Sequence, residues 1–310
     1  MSVSSANGFI AEGRLSVSQP SDFLKTTPEA MSTDIGKSTS NGSENPVISE
    51  EQQEKINEVR RLVGTFPEKL STFSSDASIS RYLRAQNWNV KKATKLLKET
   101  LKWRLEYKPE AIKWEEVARE AETGKMYRSN YADKHGRSVI VMRPSRQNSK
   151  SIPEQMRYLV YCMENAILNL PEKQEEMVWL IDFNGFNLSS ISLKQARETA
   201  YVLDVYYPDR LGLAIIYNSP KFFEPFWKVV KYFLEPKTTN KVKFVYSDDP
   251  STMKIIEEEF EVDKLESAFG GKDNVDFDIN KYAERMREDD KRMQCLCERG
   301  NIACEALHQP

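Results

Sequence analysis

The chain has 310 residues, with 45 Lys and Arg against 47 Asp and Glu, a formal net charge of −2 and a mean hydropathy of −0.62. That length supports a core needing no disulfides or metals, and the charge balance excludes a protein held on nucleic acid by a basic excess. The longest uncharged apolar run, Leu211 to Tyr217, is far short of the roughly 18 residues of a spanning helix, and four cysteines without a signal pattern point to a soluble cytoplasmic protein.

Residues 1–50 contain eleven serines and only Phe9 and Phe23 as aromatics. Such a segment buries too little to offset its ordering entropy and is expected to be a disordered tail, either solubilising or phosphorylated. Residues 51–108 read as a helical subdomain. Val90, Ala93, Leu97, Leu101 and Leu105 recur at helical steps behind Asn89, an N-cap. A shorter helix is expected over Ser78 to Arg84, capped by Ser75 or Asp76.

A second unit is expected over 109–275. Met126 to Tyr131 and Ser138 to Arg143 flank Asp133-Lys134-His135-Gly136, a strand, turn and strand. The following elements alternate: helix Pro153 to Leu170, strand Met177 to Ile181, helix Leu193 to Val205, strand Leu213 to Tyr217, helix Lys221 to Leu234 and strand Val242 to Tyr246. Near-continuous apolar strands separated by helices indicate an α/β fold with a mainly parallel, helix-covered sheet. Phe269-Gly270-Gly271 closes this unit, and residues 276–310 hold a charged helix from Asn280 to about Arg299.

Signals for enzyme chemistry are sparse. No dinucleotide or phosphate-loop glycine motif follows a strand, and no nucleophile elbow is present. Asp182 follows an apolar strand, so a carboxylate hydrolase is weighed against an acid that caps the Asp182-Phe183-Asn184-Gly185 turn. Cys295, Cys297, Cys304 and His308 lack metal-site pairing, and Cys162 reads as core. No catalytic residue, metal or cofactor is expected.

The helix from Lys221 is the unusual element. Its charges at Lys221, Glu224, Lys228 and Lys231 form one narrow stripe, and the remaining circumference is apolar or aromatic. A sheet-covering helix needs an apolar arc of about 100°. The surplus face belongs in a two-sided core, against an apolar ligand or on a lipid surface. Asp209, in Tyr206-Tyr207-Pro208-Asp209-Arg210, and Thr238 and Lys241, in Thr238-Thr239-Asn240-Lys241, precede successive strands and are expected at one sheet rim.

These residues resemble a known family. Tyr206 to Gly212, Ile216-Tyr217-Asn218-Ser219-Pro220, the aromatic helix, Leu234-Glu235-Pro236-Lys237-Thr238 and Phe269-Gly270-Gly271, with Arg81-Tyr82-Leu83-Arg84-Ala85 and Trp103-Arg104 upstream, resemble the CRAL-TRIO lipid-binding domain, above all its phosphatidylinositol transfer proteins. The resemblance implies a helical lobe and an α/β lobe enclosing an apolar cavity for one phospholipid or other hydrophobic ligand. It implies a mobile gate carrying Phe222, Phe223, Phe226, Trp227, Val230 and Phe233. It also implies a head-group site at Asp209, Thr238 and Lys241, and transient membrane contact through Lys228 and Lys231. A monomer with no nucleic-acid partner is expected. Two departures stand out: Gln86-Asn87 replaces a basic pair, and Met177 and Trp179 replace small hydroxyl residues associated with phosphatidylcholine. The competing expectation is a sensor of another hydrophobic ligand that recruits a protein partner through the charged C-terminal helix.

Overall fold

The computed structural model describes residues 48–299. The Ser-rich tail up to residue 47, and Cys304 and His308, lie outside the described residues.

Three helices form the N-terminal lobe: α1 (Glu50–Val63), α2 (Asp76–Ala85) and α3 (Val90–Tyr107). Their starts follow side-chain capping. Ser49 accepts from Gln52 N, Ser75 from Ser78 N and Asn89 from Lys92 N, each satisfying an otherwise orphaned first-turn donor. Ile56, Val59, Leu70, Ile79, Leu83, Ala93 and Leu97 pack into a core of their own.

The second lobe begins with α4 (Trp114–Ala121), β1 (Met126–Ala132), β2 (Ser138–Met142), α5 (Ile152–Leu168) and β3 (Met177–Asp182). It continues with α6 (Leu193–Tyr201), β4 (Leu211–Tyr217), α7 (Phe223–Val230), α8 (Pro236–Asn240), β5 (Val242–Val245) and α9 (Pro250–Glu259). The helix α10 (Ile279–Arg299) follows. The five strands lie in chain order, β1 antiparallel to β2 and the rest parallel.

Chain-order parallel strands with right-handed crossovers carry α5, α6 and α7 to one face of the sheet. Register defines that face. Ile140 pairs with Trp179, Trp179 with Ala214, and Ala214 with Val242, while Met142, Ile181, Ile216 and Phe244 form the next row. Ser138, two residues before Ile140, donates to Ala166 O of α5 at 3.0 Å, so α5 covers this face. On the opposite face Tyr217 meets Phe269, ring centroids 5.3 Å apart. Gly271, after Phe269-Gly270, has no room for a side chain, because a Cβ there would collide with the Leu265 carbonyl.

Two helices differ from the sequence expectation. The helix expected to reach Val205 ends at Tyr201 and passes into a π-helical turn, Val202–Tyr206. The helix expected from Lys221 to Leu234 is α-helical only over Phe223–Val230, followed by a tight turn Lys231–Phe233. Leu234 and Glu235 are extended there, as the residue before Pro236 is forced to be. The charged C-terminal helix is docked along one face. Tyr282, Ala283, Met286 and Asp289 are buried, and Asp289 accepts from Arg128, Asn165 and Asn169. No described helix is long and apolar enough to cross a membrane.

Candidate functional site

Buried charge joins the two lobes. Arg104 of α3 makes a two-pronged contact to Glu164 of α5, at 2.9 and 2.8 Å, and Tyr207 donates to the same carboxylate at 2.6 Å. Burial by itself pushes Glu164 upward, but Arg104 holds its carboxyl below the usual range. Trp103 stacks on Tyr206 at 4.1 Å, and Thr100 donates to Val205 O at 2.9 Å. The Tyr-Tyr-Pro arm is thereby fixed against the helical lobe, and its next residue, Asp209, is held at φ 58°.

Asp209, Thr238 and Lys241 meet at one open-sided cleft, whose walls include Gln86, Asp204, Tyr207, Glu235 and Lys237. The convergence follows from topology. Asp209 lies just before β4 and Lys241 just before β5, and these strands are hydrogen-bonded neighbours. Lys241 Nζ reaches Asp209 Oδ1 at 3.2 Å, Glu176 Oε1 at 3.4 Å and the Leu211 carbonyl at 2.6 Å. Arg84 Nε donates to Asp209 Oδ2 at 2.6 Å, and its far side meets Glu175 at 2.7 Å. Thr238 Oγ1 donates to Asp204 at 2.7 Å. Alternating carboxylates and cations along this rim make it nearly neutral, with donors and acceptors both on offer to a polar ligand.

Sequence reasoning missed Arg84, Glu175, Glu176, Asp204 and Lys237. Asp204 lies five residues before Asp209, but the π-helical turn aims it, and nothing in the apolar period marks that turn. Glu175 and Glu176 precede β3, the neighbour of β4, as Asp209 precedes β4 itself. Gln86 lines the cleft as an uncharged residue. The cleft's cation there comes from Lys237, whose Nζ donates to Arg84 O at 2.5 Å.

Above the apolar part of the same sheet face, α7 covers a separate small cluster. Phe223 packs with Phe183 and Ile216, joined by Phe226, Trp227 and Phe244. Of the expected gate residues, Phe223 is buried, Phe222, Phe226, Trp227 and Val230 are half-buried, and Phe233 is exposed. Phe233 is therefore an outward residue, because the chain leaves the α-helical period after Val230. Lys221, Glu224, Lys228 and Lys231 are all exposed, with Lys228 paired to Glu224 at 2.8 Å. The outward side of the α6–α7 layer also carries Leu188, Leu193, Val229 and Tyr232, the last 76% exposed.

Met177 and Trp179 are both buried in the sheet, and the Trp179 indole N–H has no hydrogen-bond partner among the described residues. Asp182 accepts from Asn184 N at 2.9 Å and lies 3.6 Å from Arg143, an arrangement that caps a turn and satisfies the acid. Cys162 is buried, and burial pushes its thiol up to about 12. Among the described residues no cluster of His, Cys, Asp and Glu has metal-holding geometry.

Comparison with known proteins gives a consistent result. Residues 121–271 match the CRAL/TRIO domain and residues 50–99 the CRAL/TRIO N-terminal domain. The phosphatidylinositol transfer protein PDR17 of Saccharomyces cerevisiae is 31% identical over 259 residues, 72% of this chain and 71% of that protein. A CRAL-TRIO domain-containing protein of Schizosaccharomyces pombe is 35% identical over 211 residues, 68% of this chain but 20% of that protein. The phosphatidylinositol transfer protein CSR1 of Eremothecium gossypii is 27% identical over 66% of this chain and 48% of its own length. This chain thus spans about half or less of two of these relatives. The crystal structure of Sfh5 superposes with a TM-score of 0.56 over 78% of this chain and 84% of that one, at 17% identity.

Proposed function

The chain belongs to the CRAL/TRIO family, and from that premise we propose that it takes one lipid, phosphatidylinositol, beneath α7 and exchanges or presents it at membranes. The observation that carries this reading is the meeting of Asp209, Thr238 and Lys241 in one polar cleft at the start of β4 and β5, strands whose later residues Ile216 and Phe244 pack under α7. The head group enters at this polar cleft, which opens further to admit it. In this reading the chains lie between the sheet and α7, which shifts to admit them. Inositol hydroxyls donate to Asp209, and a phosphodiester oxygen accepts from Thr238 and Lys241, with Lys237 supplying the charge that Gln86 lacks. Phosphatidylcholine is disfavoured, because Met177 and Trp179 fill the strand positions that small hydroxyl residues would leave open.

Transfer needs no bond chemistry. Burying an acyl chain is worth about 0.8 kcal/mol per CH₂ relative to water, and a bilayer offers nearly the same, so loading and release both remain accessible. The half-buried aromatics of α7 keep the passage apolar. Tyr232, Val229 and Phe233, ringed by Lys228 and Lys231, form the surface that meets the bilayer, each lysine contributing about 1 kcal/mol near anionic lipid. Native mass spectrometry of protein purified from cells tests the reading. A co-purified phosphatidylinositol is expected. Absence of any lipid, together with no uptake from phosphatidylinositol-containing vesicles, refutes it.

A further inference from the structure

The Thr238 hydroxyl, which the lipid reading assigns to the head group, is already committed. Asp204 Oδ1 accepts from Thr238 Oγ1 at 2.7 Å, and Asp204 Oδ2 accepts from Glu235 N at 2.8 Å. Glu235, on the extended link between α7 and α8, lies 31 residues away in sequence, and Thr238, in α8 itself, lies 34. Asp204 sits in the π-helical turn Val202–Tyr206, which the Trp103–Tyr206 stack holds against the helical lobe. One carboxylate therefore ties the exit of α7 to a fixed arm. Both of its donors are uncharged. The cations that share the cleft are bonded elsewhere, Lys241 to Leu211 O, Asp209 and Glu176, and Lys237 to Arg84 O.

We propose that Asp204 is a latch, holding the end of the α7 segment on the Tyr-Tyr-Pro arm and withholding Thr238 until an anionic oxygen of the ligand takes that hydroxyl instead. The proposal rests on the lipid reading for its ligand, but the latch itself rests on contacts within the chain. Movement of α7 requires the Leu234–Glu235 link to leave Asp204, so the two hydrogen bonds are broken or exchanged in every opening. Asp204 is a positioning residue in this scheme, acting through Thr238 and the Glu235 amide.

The latch carries a pH signature. Burial pushes the Asp204 carboxyl up to about 6, with the neighbouring Glu235 adding to the shift and the Glu235 N–H, the Thr238 hydroxyl and Lys241 opposing it. Asp209 and Lys237 also face the cleft, and Arg84 stands behind Asp209. Once released into water the carboxyl returns toward 3.8. The latched state thus binds the proton more tightly, and acidification favours it. A neutral carboxyl keeps both contacts, because the Thr238 hydroxyl can turn from donor to acceptor. Between about pH 7 and about pH 5 the latched population gains about tenfold over the open one.

Two measurements on the full chain test the proposal. In hydrogen exchange without lipid, Asp204→Ala should lose protection over residues 234–240, while Asp204→Asn, which resembles the neutral acid, should keep it. Unchanged protection in Asp204→Ala overturns the latch. In stopped-flow transfer of pyrenyl-phosphatidylinositol from phosphatidylcholine vesicles, the native protein should slow about tenfold from about pH 7 to about pH 5. Asp204→Asn should be slow at both values and Asp204→Ala fast at both. An Asp204→Asn variant that keeps the native pH profile also overturns it. If the native protein takes up no labelled lipid at any pH, the lipid reading fails, and the exchange experiment still decides the latch.

Discussion

Lys241→Met separates a head-group role from a structural one, because methionine keeps most of the aliphatic stem and removes the charge. Within the chain the ammonium bonds Leu211 O at 2.6 Å, Asp209 at 3.2 Å and Glu176 at 3.4 Å. Asp209 keeps Arg84 at 2.6 Å, and Glu176 is exposed enough to be hydrated. No carboxylate is left buried and alone, so the folding cost is about 1–2 kcal/mol, mostly for the carbonyl and two partly screened ion pairs. In a chain of this size that lowers Tm by about 2–6 °C. The loss on binding is larger for the right ligand. A charge-assisted hydrogen bond to a phosphodiester is worth about 1.5–3 kcal/mol, which weakens phosphatidylinositol by about 10- to 150-fold. A neutral diacylglycerol, offering no anion to Lys241, should change by less than about threefold. Competitive displacement of a fluorescent lipid, with calorimetry on the same preparations, measures both quantities. Equal losses for the two lipids, or full retention of phosphatidylinositol, would falsify the head-group assignment of Lys241.

Three further outcomes are expected. Glu164→Leu leaves buried Arg104 only the longer contact to Glu110, at 3.5 Å, and should cost about 3 kcal/mol in urea unfolding, while the Glu164→Leu, Arg104→Met double variant should recover part of that loss; a single-variant cost below about 1 kcal/mol contradicts the buried-pair account. Because Glu164 is held below its usual range, its contribution is present at neutral pH and is lost as pH falls through its folded-state value. Tyr232→Ser, at a side chain 76% exposed, should leave stability within about 0.5 kcal/mol yet reduce sedimentation with anionic vesicles, and Lys228→Ala with Lys231→Ala should add a salt-dependent loss of about fivefold per residue; full vesicle binding by both variants places the membrane surface elsewhere. Cys162, pushed up to about 12 by burial, should resist iodoacetamide until denaturant is added, whereas the more accessible Cys295 and Cys297 label in the native protein; early modification of Cys162 would show that α5 opens locally.

Local chemistry made much of the fold legible. The Val90 to Leu105 period, the Asn89 cap and the apolar runs at Met177 and Leu211 follow from interactions within one element, so they read directly from neighbouring residues. α4, α8 and α9 were not anticipated. α8 is a single short turn started by Pro236, whereas α4 and α9 carry local start signals that sequence reasoning missed: Glu116 accepts from Lys113 N ahead of α4, and Asp249 accepts from Ser251 N with Pro250 opening α9. The surplus apolar surface after Lys221 was legible as a quantity, but not as a division between buried Phe223 and exposed Phe233. That division depends on where the α-helix stops, and Pro236 and the Asp204 contacts determine the stop from outside the helix.

The sequence by itself determined the class of the protein, a helical lobe beside a helix-covered parallel sheet, and the three residues expected at the sheet rim. Positions preceding successive strands of a parallel sheet are brought to one edge by chain connectivity alone, so Asp209 and Lys241 were predictable neighbours. The tertiary structure alone decided who partners them. Arg84, Asp204, Glu175, Glu176 and Lys237 reach the cleft from four separate stretches of chain, and their sequence distances from Asp209 and Thr238 carry no periodic signal. Which hydroxyl is free, which carboxylate is desolvated and which lysine is already paired are properties of that assembly, because burial and electrostatic environment exist only once the lobes have closed on each other.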